Sequence, residues 1–452
     1  MAKVKEVFVC QSCGTPSPKW QGQCAGCGEW NTLVAEVRSA GSRGPATPAG
    51  RSSRADPPVS LAAEAAADQP RISTGSAELD RVLGGGLVTG SVTLIGGDPG
   101  IGKSTLMLQA AAALAAAGPV LYATGEESIK QVALRARRLS LAESTARLVA
   151  ETQVEAIVET AAGLKARALI VDSIQTMYSQ RIDTAPGAVS QLRECTAELV
   201  RFAKTSGTAV LLVGHVTKEG QIAGPRVLEH MVDTVLYFES DTGSRFRVLR
   251  SVKNRFGAAN EIGVFAMAEQ GLREVTNPSA IFLSRHERPV SGSVITVMRE
   301  GTRSLLIEVQ VLADSSLGSN PRRVAVGIDG NRLTMLLAVA HRHAGLSLQG
   351  QDVFANVVGG VRLAETAGDL AIVLAARSSL SDLPLPASLI VFGELGLAGE
   401  IRPVPFGEER LREAAKHGFK SALIPEANVP RRLPEGMTVR GVTRLSEALE
   451  AF

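Results

Sequence analysis

The stretch Gly97-Asp98-Pro99-Gly100-Ile101-Gly102-Lys103-Ser104, followed by Thr105, constrains this chain more than any other. It fills every fixed position of the phosphate-loop pattern G-x-x-x-x-G-K-[ST]. Residues 91–95 before it read as a buried strand, and residues 106–117 after it as a helix. Its three glycines let successive backbone N–H groups turn inward on an anion. The following helix adds its positive end, and Lys103 supplies a point charge for the outer phosphates. Ser104 offers a hydroxyl to Mg²⁺, an ion that keeps most of its water and takes few protein oxygens. Residues 97–105 are therefore expected to bind ATP with Mg²⁺.

The rest of the central region fits such a site. Residues 120–123, 169–171 and 208–213 read as strands with helical patterns between them. That alternation predicts an α/β fold, a parallel sheet with helices on both faces. Residues 168–171 form an apolar run ending in Asp172, expected to hold the magnesium through water. Glu126 and Glu127 follow the second strand, and either suits the orientation and deprotonation of an attacking water, with Glu126 preferred. The same acids would also suit a helix's first turn through its dipole. His215, at the end of a strand, suits a γ-phosphate sensor or a purely structural role. Cys195 shares a helical stripe with Leu192, Leu199 and Phe202, which makes it a core residue. Two loops offer DNA-facing side chains, Tyr178 and Arg181 in residues 175–186 and Lys218 and Arg226 in residues 218–226. Taken singly they are ordinary exposed loops. In Lys253-Asn254-Arg255-Phe256-Gly257 two cations lie two residues apart on an extended segment and face one way. Lys253 and Arg255 can then stabilise charge on the γ-phosphate of a neighbouring subunit's nucleotide, or simply be solvated.

Four cysteines open the chain as Cys10-x-x-Cys13 and Cys24-x-x-Cys27, two knuckles whose thiolates can converge on one Zn²⁺. The two tryptophans, Trp20 and Trp30, lie within or beside this module, which spans residues 1–35. Residues 36–70 are rich in Ala, Gly, Ser, Pro and Arg and read as a flexible linker. At +3, the net charge is too small to argue for a nucleic-acid partner, and 4% aromatic residues disfavour binding by base stacking alone. No stretch reads as a signal peptide or a membrane span, so a soluble cytoplasmic protein without membrane association is expected.

Together the four-cysteine head, the phosphate loop, Asp172 and the Lys253–Gly257 signature resemble the RadA/Sms family of bacterial DNA-repair and recombination ATPases. The resemblance covers nearly the whole chain. It implies a RecA-like core in a homohexameric ring that hydrolyses ATP and binds single-stranded and branched DNA. It also implies branch migration alongside the RecA recombinase. Residues 71–275 would be the ATPase domain and residues 284–452 a separate α+β domain. The latter is similar to the proteolytic domain of Lon, through Gly393-Glu394-Leu395-Gly396-Leu397-Ala398-Gly399-Glu400-Ile401-Arg402-Pro403-Val404. A Lon-type peptidase needs a serine nucleophile and a lysine base. Those positions fall at Ala367 and Arg410; a slip of one residue offers Thr366 but no lysine. No peptidase activity is expected. Two other classes remain to be separated by experiment, an ATP-dependent Lon-like protease and a nucleotide-switched assembly protein that does not translocate.

Overall fold

A computed structural model of the chain describes residues 5–10, 15–38, 70–215, 227–239, 246–280, 282–283, 289–316, 318 and 320–452. Cys13, Lys218, Arg226 and most of the expected linker lie outside these residues. The chain divides into two units, Met1–Val275 and Thr276–Phe452. At the N-terminus, β1 (Lys5–Cys10) pairs antiparallel with both β2 (Pro16–Ser17) and β3 (Leu33–Arg38). Two short strands, β4 (Arg71–Ile72) and β5 (Leu87–Val88), flank helix α1 (Ala77–Val82) and pair with each other.

The centre of the first unit is a nine-stranded sheet. Its strands are β6 (Val92–Gly96), β7 (Val120–Thr124), β8 (Arg147–Ala150), β9 (Ala168–Asp172), β10 (Ala209–Val213), β11 (Thr234–Glu239), β12 (Phe246–Asn254), β13 (Ile262–Ala268) and β14 (Gly271–Glu274). The spatial order is β14-β13-β12-β11-β6-β10-β9-β7-β8. The six strands from β11 to β8 are parallel, and β12 to β14 extend the sheet antiparallel. The sheet is thus parallel where the sequence pattern alternates strand and helix, and antiparallel where hairpins replace the helices.

Every residue of β6, β7, β9 and β10 is buried, as strands covered on both faces require. Alternation sends Ile95, Tyr122, Ile170 and Leu211 to one face, against Leu106, Met107 and Leu114 of helix α2 (Lys103–Ala115). Val132 of α3 (Ile129–Arg138) joins the same core. Leu94, Leu121, Leu169 and Leu212 go to the other face, against α4 (Val154–Gly163) and α5 (Val189–Ser206). Cys195 on α5 is fully buried there, and burial pushes its thiol up to about 12. It is a packing residue at neutral pH. Among the described residues, no helix is long and apolar enough to cross a membrane.

The second unit begins eight residues before the expected boundary. Phe282 is buried, its carbonyl accepts the Glu308 N–H at 3.0 Å, and the Ser279 hydroxyl oxygen accepts the Leu306 N–H at 3.2 Å. A seven-stranded sheet follows, with β15 (Ser293–Glu300), β16 (Arg303–Ser315), β17 (Arg323–Val326), β18 (Gln351–Val357) and β19 (Leu389–Val391). A small hairpin of β20 (Glu394–Leu395) and β21 (Ile401–Arg402) precedes its last strands, β22 (Ser421–Pro425) and β23 (Thr438–Val442). Their order is β17-β18-β16-β15-β19-β22-β23. Helices α6 (Gly330–Ala344), α7 (Asp369–Ser381), α8 (Gly407–Lys416) and α9 (Leu445–Leu449) complete the unit.

Ala367 is buried in a tight turn just before α7, and Arg410 on α8 is the most deeply buried cation among the described residues of this unit, 1% exposed. The Arg410 guanidinium grips Glu365 through two hydrogen bonds of 2.7 Å and also donates to the carbonyls of Val297 and Pro405. Glu365 in turn accepts the Arg299 N–H at 2.7 Å. The Thr366 hydroxyl donates to Glu394 Oε2 at 2.6 Å. The positions aligned with a peptidase dyad are therefore filled by a methyl group and a paired, planar cation. Removing one partner of a buried pair leaves an uncompensated charge. Glu365 is 27% exposed and can be partly rehydrated, so Arg410→Ala should cost about 1–3 kcal/mol, read as a lower urea midpoint of the C-terminal unit. Replacing Arg410 and Glu365 together by apolar residues should recover much of that loss.

Candidate functional site

The phosphate loop leaves β6 at its C-terminal end and enters α2 directly. Gly97 and Gly102 both have positive φ, +151° and +116°, a region closed to most side chains. A Cβ on Gly97 would lie 3.0 Å from Phe238, and one on Gly102 3.0 Å from Met267, so the space is closed as well. Gly102 caps α2 without a side-chain hydrogen bond, and the helix carries no acid in its first turn. Its first N–H groups and its positive end are left to the loop. Asp98, Pro99 and Gly100 are exposed, Ile101 is buried, and Ser104 and Thr105 are partly buried at the start of α2.

Lys103 is only 3% exposed. Its Nζ donates to the carbonyls of Gly97 at 2.7 Å and Asp98 at 2.9 Å, folding the ammonium back into the loop. Burial pulls its pKa from 10.5 down to about 8, opposed by the negative charges of Asp172, Glu126 and Asp98. Those three acids surround the ammonium because β6, β7 and β9 are parallel and end on the same side of the sheet.

Asp172 terminates β9, buried, and accepts the Tyr122 hydroxyl on Oδ2 at 2.5 Å. The peptide bond following Asp172 is cis. Ser173 beyond it donates to Glu126 Oε1 at 2.5 Å. The same Glu126 oxygen lies 3.2 Å from His215 Nε2 at the end of β10. Neither His215 ring nitrogen has an aligned hydrogen bond among the described residues. Gln175 donates to the His215 carbonyl at 3.1 Å and so ties the ends of β9 and β10. Glu127 points elsewhere. It forms an ion pair with Arg135 on α3, and its backbone is fixed by Thr124 Oγ1. Neither acid lies in the first turn of α3, which is capped by Ser128 and Gln131.

Arg255 lies at the end of the sheet away from the phosphate loop, and Lys253 is level with the middle of β6. Lys253 pairs with Val235, itself level with Leu94, while the Arg255 N–H bonds to the Asp233 carbonyl beside Val92. At ~3.3 Å per residue, Arg255 is roughly 16 Å along β6 from Gly97. Lys253 donates to the carbonyls of Glu229 at 2.7 Å and Val232 at 2.8 Å, and burial followed by the charge of Arg255 lowers its pKa. Arg255, half exposed, lies 3.2 Å from Asp233 Oδ1. The β-bulge between Val235 and Leu236 does not separate the two cations; both reach the segment 229–233.

Of the DNA-facing candidates, Tyr178 is partly buried and bridges to Gln153 through its backbone. Arg181 is held by Glu198 at 2.5 Å and Glu194 at 3.5 Å. In the N-terminal module the sulfurs of Cys10, Cys24 and Cys27 lie within 4.8 Å of one another, with Cys10 and Cys27 3.7 Å apart. Tetrahedral zinc with bonds of about 2.3 Å sets its sulfurs about 3.8 Å apart, so these thiols fit the ion. The Gly26 N–H donates to Cys24 Sγ at 3.3 Å, as expected of a metal-binding knuckle.

Comparison with known proteins agrees with this layout. Residues 61–221 match the family model of an AAA domain, residues 8–35 that of a rubredoxin metal binding domain, and residues 337–428 that of subunit ChlI of Mg-chelatase. The chain is 57% identical over 455 residues to DNA repair protein RadA of Pseudomonas aeruginosa, and the match covers 100% of both chains. It is 55% identical to DNA repair protein RadA of Escherichia coli, over 100% of this chain and 99% of that one. The corresponding Bacillus subtilis protein is 50% identical over 99% of each. The chain belongs to the RadA family of DNA repair proteins. It joins a zinc-ribbon cysteine cluster, an AAA-type ATPase domain and a ChlI- and Lon-like domain in one chain.

Tyr122, Ser173, Gln175 and Arg135 were not singled out from the sequence. One signal was present for Tyr122: a tyrosine in a wholly apolar buried strand must find a partner for its hydroxyl. The others depend on which strand ends meet.

Two outcomes follow from this geometry. Only the protonated Lys103 attracts a triphosphate, so nucleotide affinity should be full below pH 8 and fall as pH rises through about 8. A fluorescent ATP analogue titrated across the neutral to alkaline range measures this; an inflection near 10.5 contradicts it. Cys27→Ser should release bound zinc from the purified protein, measured by elemental analysis.

Proposed function

We propose that this RadA-family protein is a DNA-stimulated ATPase motor that moves strands in recombination intermediates. The observation that carries the reading is the convergence of Lys103, Glu126 and Asp172 on a phosphate loop, while Lys253 and Arg255 face away from it. Lys103 exchanges its loop carbonyls for the outer phosphates of ATP, and the N–H groups of residues 97–105 bind the remaining oxygens. Ser104 and Asp172 are the residues that would hold Mg²⁺, which neutralises charge on the triphosphate when bound. Glu126, held by Ser173, takes a proton from water as its oxygen bonds to the γ-phosphorus and the bond to ADP breaks. His215 adjoins Glu126 and its carbonyl is held by Gln175, and residues 216–226 follow it in sequence as a route from nucleotide to DNA. Glu127 serves α3 through Arg135.

Lys253 and Arg255 are turned onto the segment 229–233 and not onto their own phosphate loop, and they act on the nucleotide of the adjacent subunit in a homohexameric ring. Single-stranded and branched DNA contact the loops carrying Tyr178, Arg181, Lys218 and Arg226, and Arg181 must first leave Glu198. The protein acts alongside the RecA recombinase, and Cys10, Cys13, Cys24 and Cys27 are the residues that would hold Zn²⁺. The C-terminal unit, with Ala367 and Arg410 in place of a dyad, scaffolds the ring without peptidase activity, and the protein works in the cytoplasm.

Hydrolysis measured with and without single-stranded DNA, then strand movement on a three-strand intermediate, tests this. Stimulation with movement is the expected result; stimulation alone favours a nucleotide switch, and indifference to DNA ends the proposal. Glu126→Gln should lower turnover about 10²–10⁴-fold with nucleotide binding retained. Glu127→Gln should change turnover far less, so an equal loss in both variants contradicts the assignment of the base.

A further inference from the structure

Asp172 is the residue whose orientation matters most at this site, and the side chain that fixes it comes from a neighbouring strand. In the ladder between β7 and β9, Thr124 is opposite Asp172 and Tyr122 is opposite Ile170. Alternation puts Tyr122, Thr124, Ile170 and Asp172 on one face. Thr124, the nearer of the two, is already engaged with the backbone of Glu127 through its hydroxyl. Tyr122 lies two residues lower, about 6.6 Å along the strand, and its phenol spans that gap to reach Asp172 Oδ2 at 2.5 Å. Both groups are buried, Tyr122 at 1% exposure and Asp172 at 7%. Among the described residues, Asp172 Oδ1 accepts no hydrogen bond.

We infer that Tyr122 is a positioning residue for the magnesium site: its hydroxyl pins Oδ2 of Asp172 and so presents Oδ1 toward the phosphate loop. The inference rests on the proposed role of Asp172 toward magnesium. Burial and the adjacent Asp172 charge hold the phenol's pKa well above its ordinary value, so it remains a donor throughout the working pH range. Hydrogen bonds of this kind to a metal-holding carboxylate alter metal affinity by about 10–100-fold. Phenylalanine at 122 keeps the ring's volume in the core and removes only the restraint.

The test is equilibrium binding of a fluorescent ADP analogue to the full-length protein, titrated with Mg²⁺, for wild type, Tyr122→Phe and Asp172→Asn. A urea midpoint for each variant registers any change in stability. Tyr122→Phe should need about 10-fold more Mg²⁺ for half-maximal metal-dependent binding, reach the wild-type plateau at saturating Mg²⁺, and bind nucleotide normally without metal. An unaltered Mg²⁺ requirement in Tyr122→Phe beside a shifted one in Asp172→Asn overturns the inference and spares the role of Asp172. No shift in either variant overturns the Asp172 assignment and the inference with it. A lower urea midpoint with wild-type Mg²⁺ dependence assigns Tyr122 to packing alone and likewise overturns it.

Discussion

The site is organised by the burial of one positive charge. The Lys103 ammonium sits among loop carbonyls, with the carboxylates of Asp172, Glu126 and Asp98 near enough to oppose the effect of burial on its pKa. An ammonium taken out of water must be compensated, and here compensation comes from groups at the ends of three parallel strands. Their spacing is a property of the sheet. The nine strands and the two cores beneath them hold the carboxylates and the ammonium in register before any ligand arrives.

The same sheet assigns different work to similar residues. Glu126 and Glu127 are adjacent in sequence, yet one meets Ser173 and the other Arg135. The division follows from Thr124, whose hydroxyl brackets the backbone of Glu127 and turns its side chain onto α3. Lys253, level with the middle of β6, and Arg255, at the far end of the strands, are tied to segment 229–233. One sheet thus carries a nucleotide pocket at one end and a cationic edge away from it.

Much of this was legible in the residues. The phosphate loop, the acid ending β9 and the alternation of strand and helix are local patterns, and local patterns survive folding. Arg410 was visible as a lysine's replacement, but its embrace of Glu365 was not, since the two lie 45 positions apart. Tyr122 and Ser173 gained their roles only through the register of β7 against β9 and the chain's course after Asp172. The antiparallel extension by β12 to β14 was hidden for a similar reason: single strands show burial and alternation, whereas their direction depends on the connections between them.

The Arg410–Glu365 pair also bears on what a basic residue at 410 can do. A lysine placed at 410 would face the partly exposed Glu365 carboxylate, and an opposite charge so close favours the ammonium form. Such a lysine could not accept a proton from a hydroxyl at neutral pH, even with a serine supplied at 366 or 367. A lysine base at 410 would therefore require Glu365 to change as well. Three positions, 365, 367 and 410, are thus coupled: the charge at one sets the protonation that the others could use.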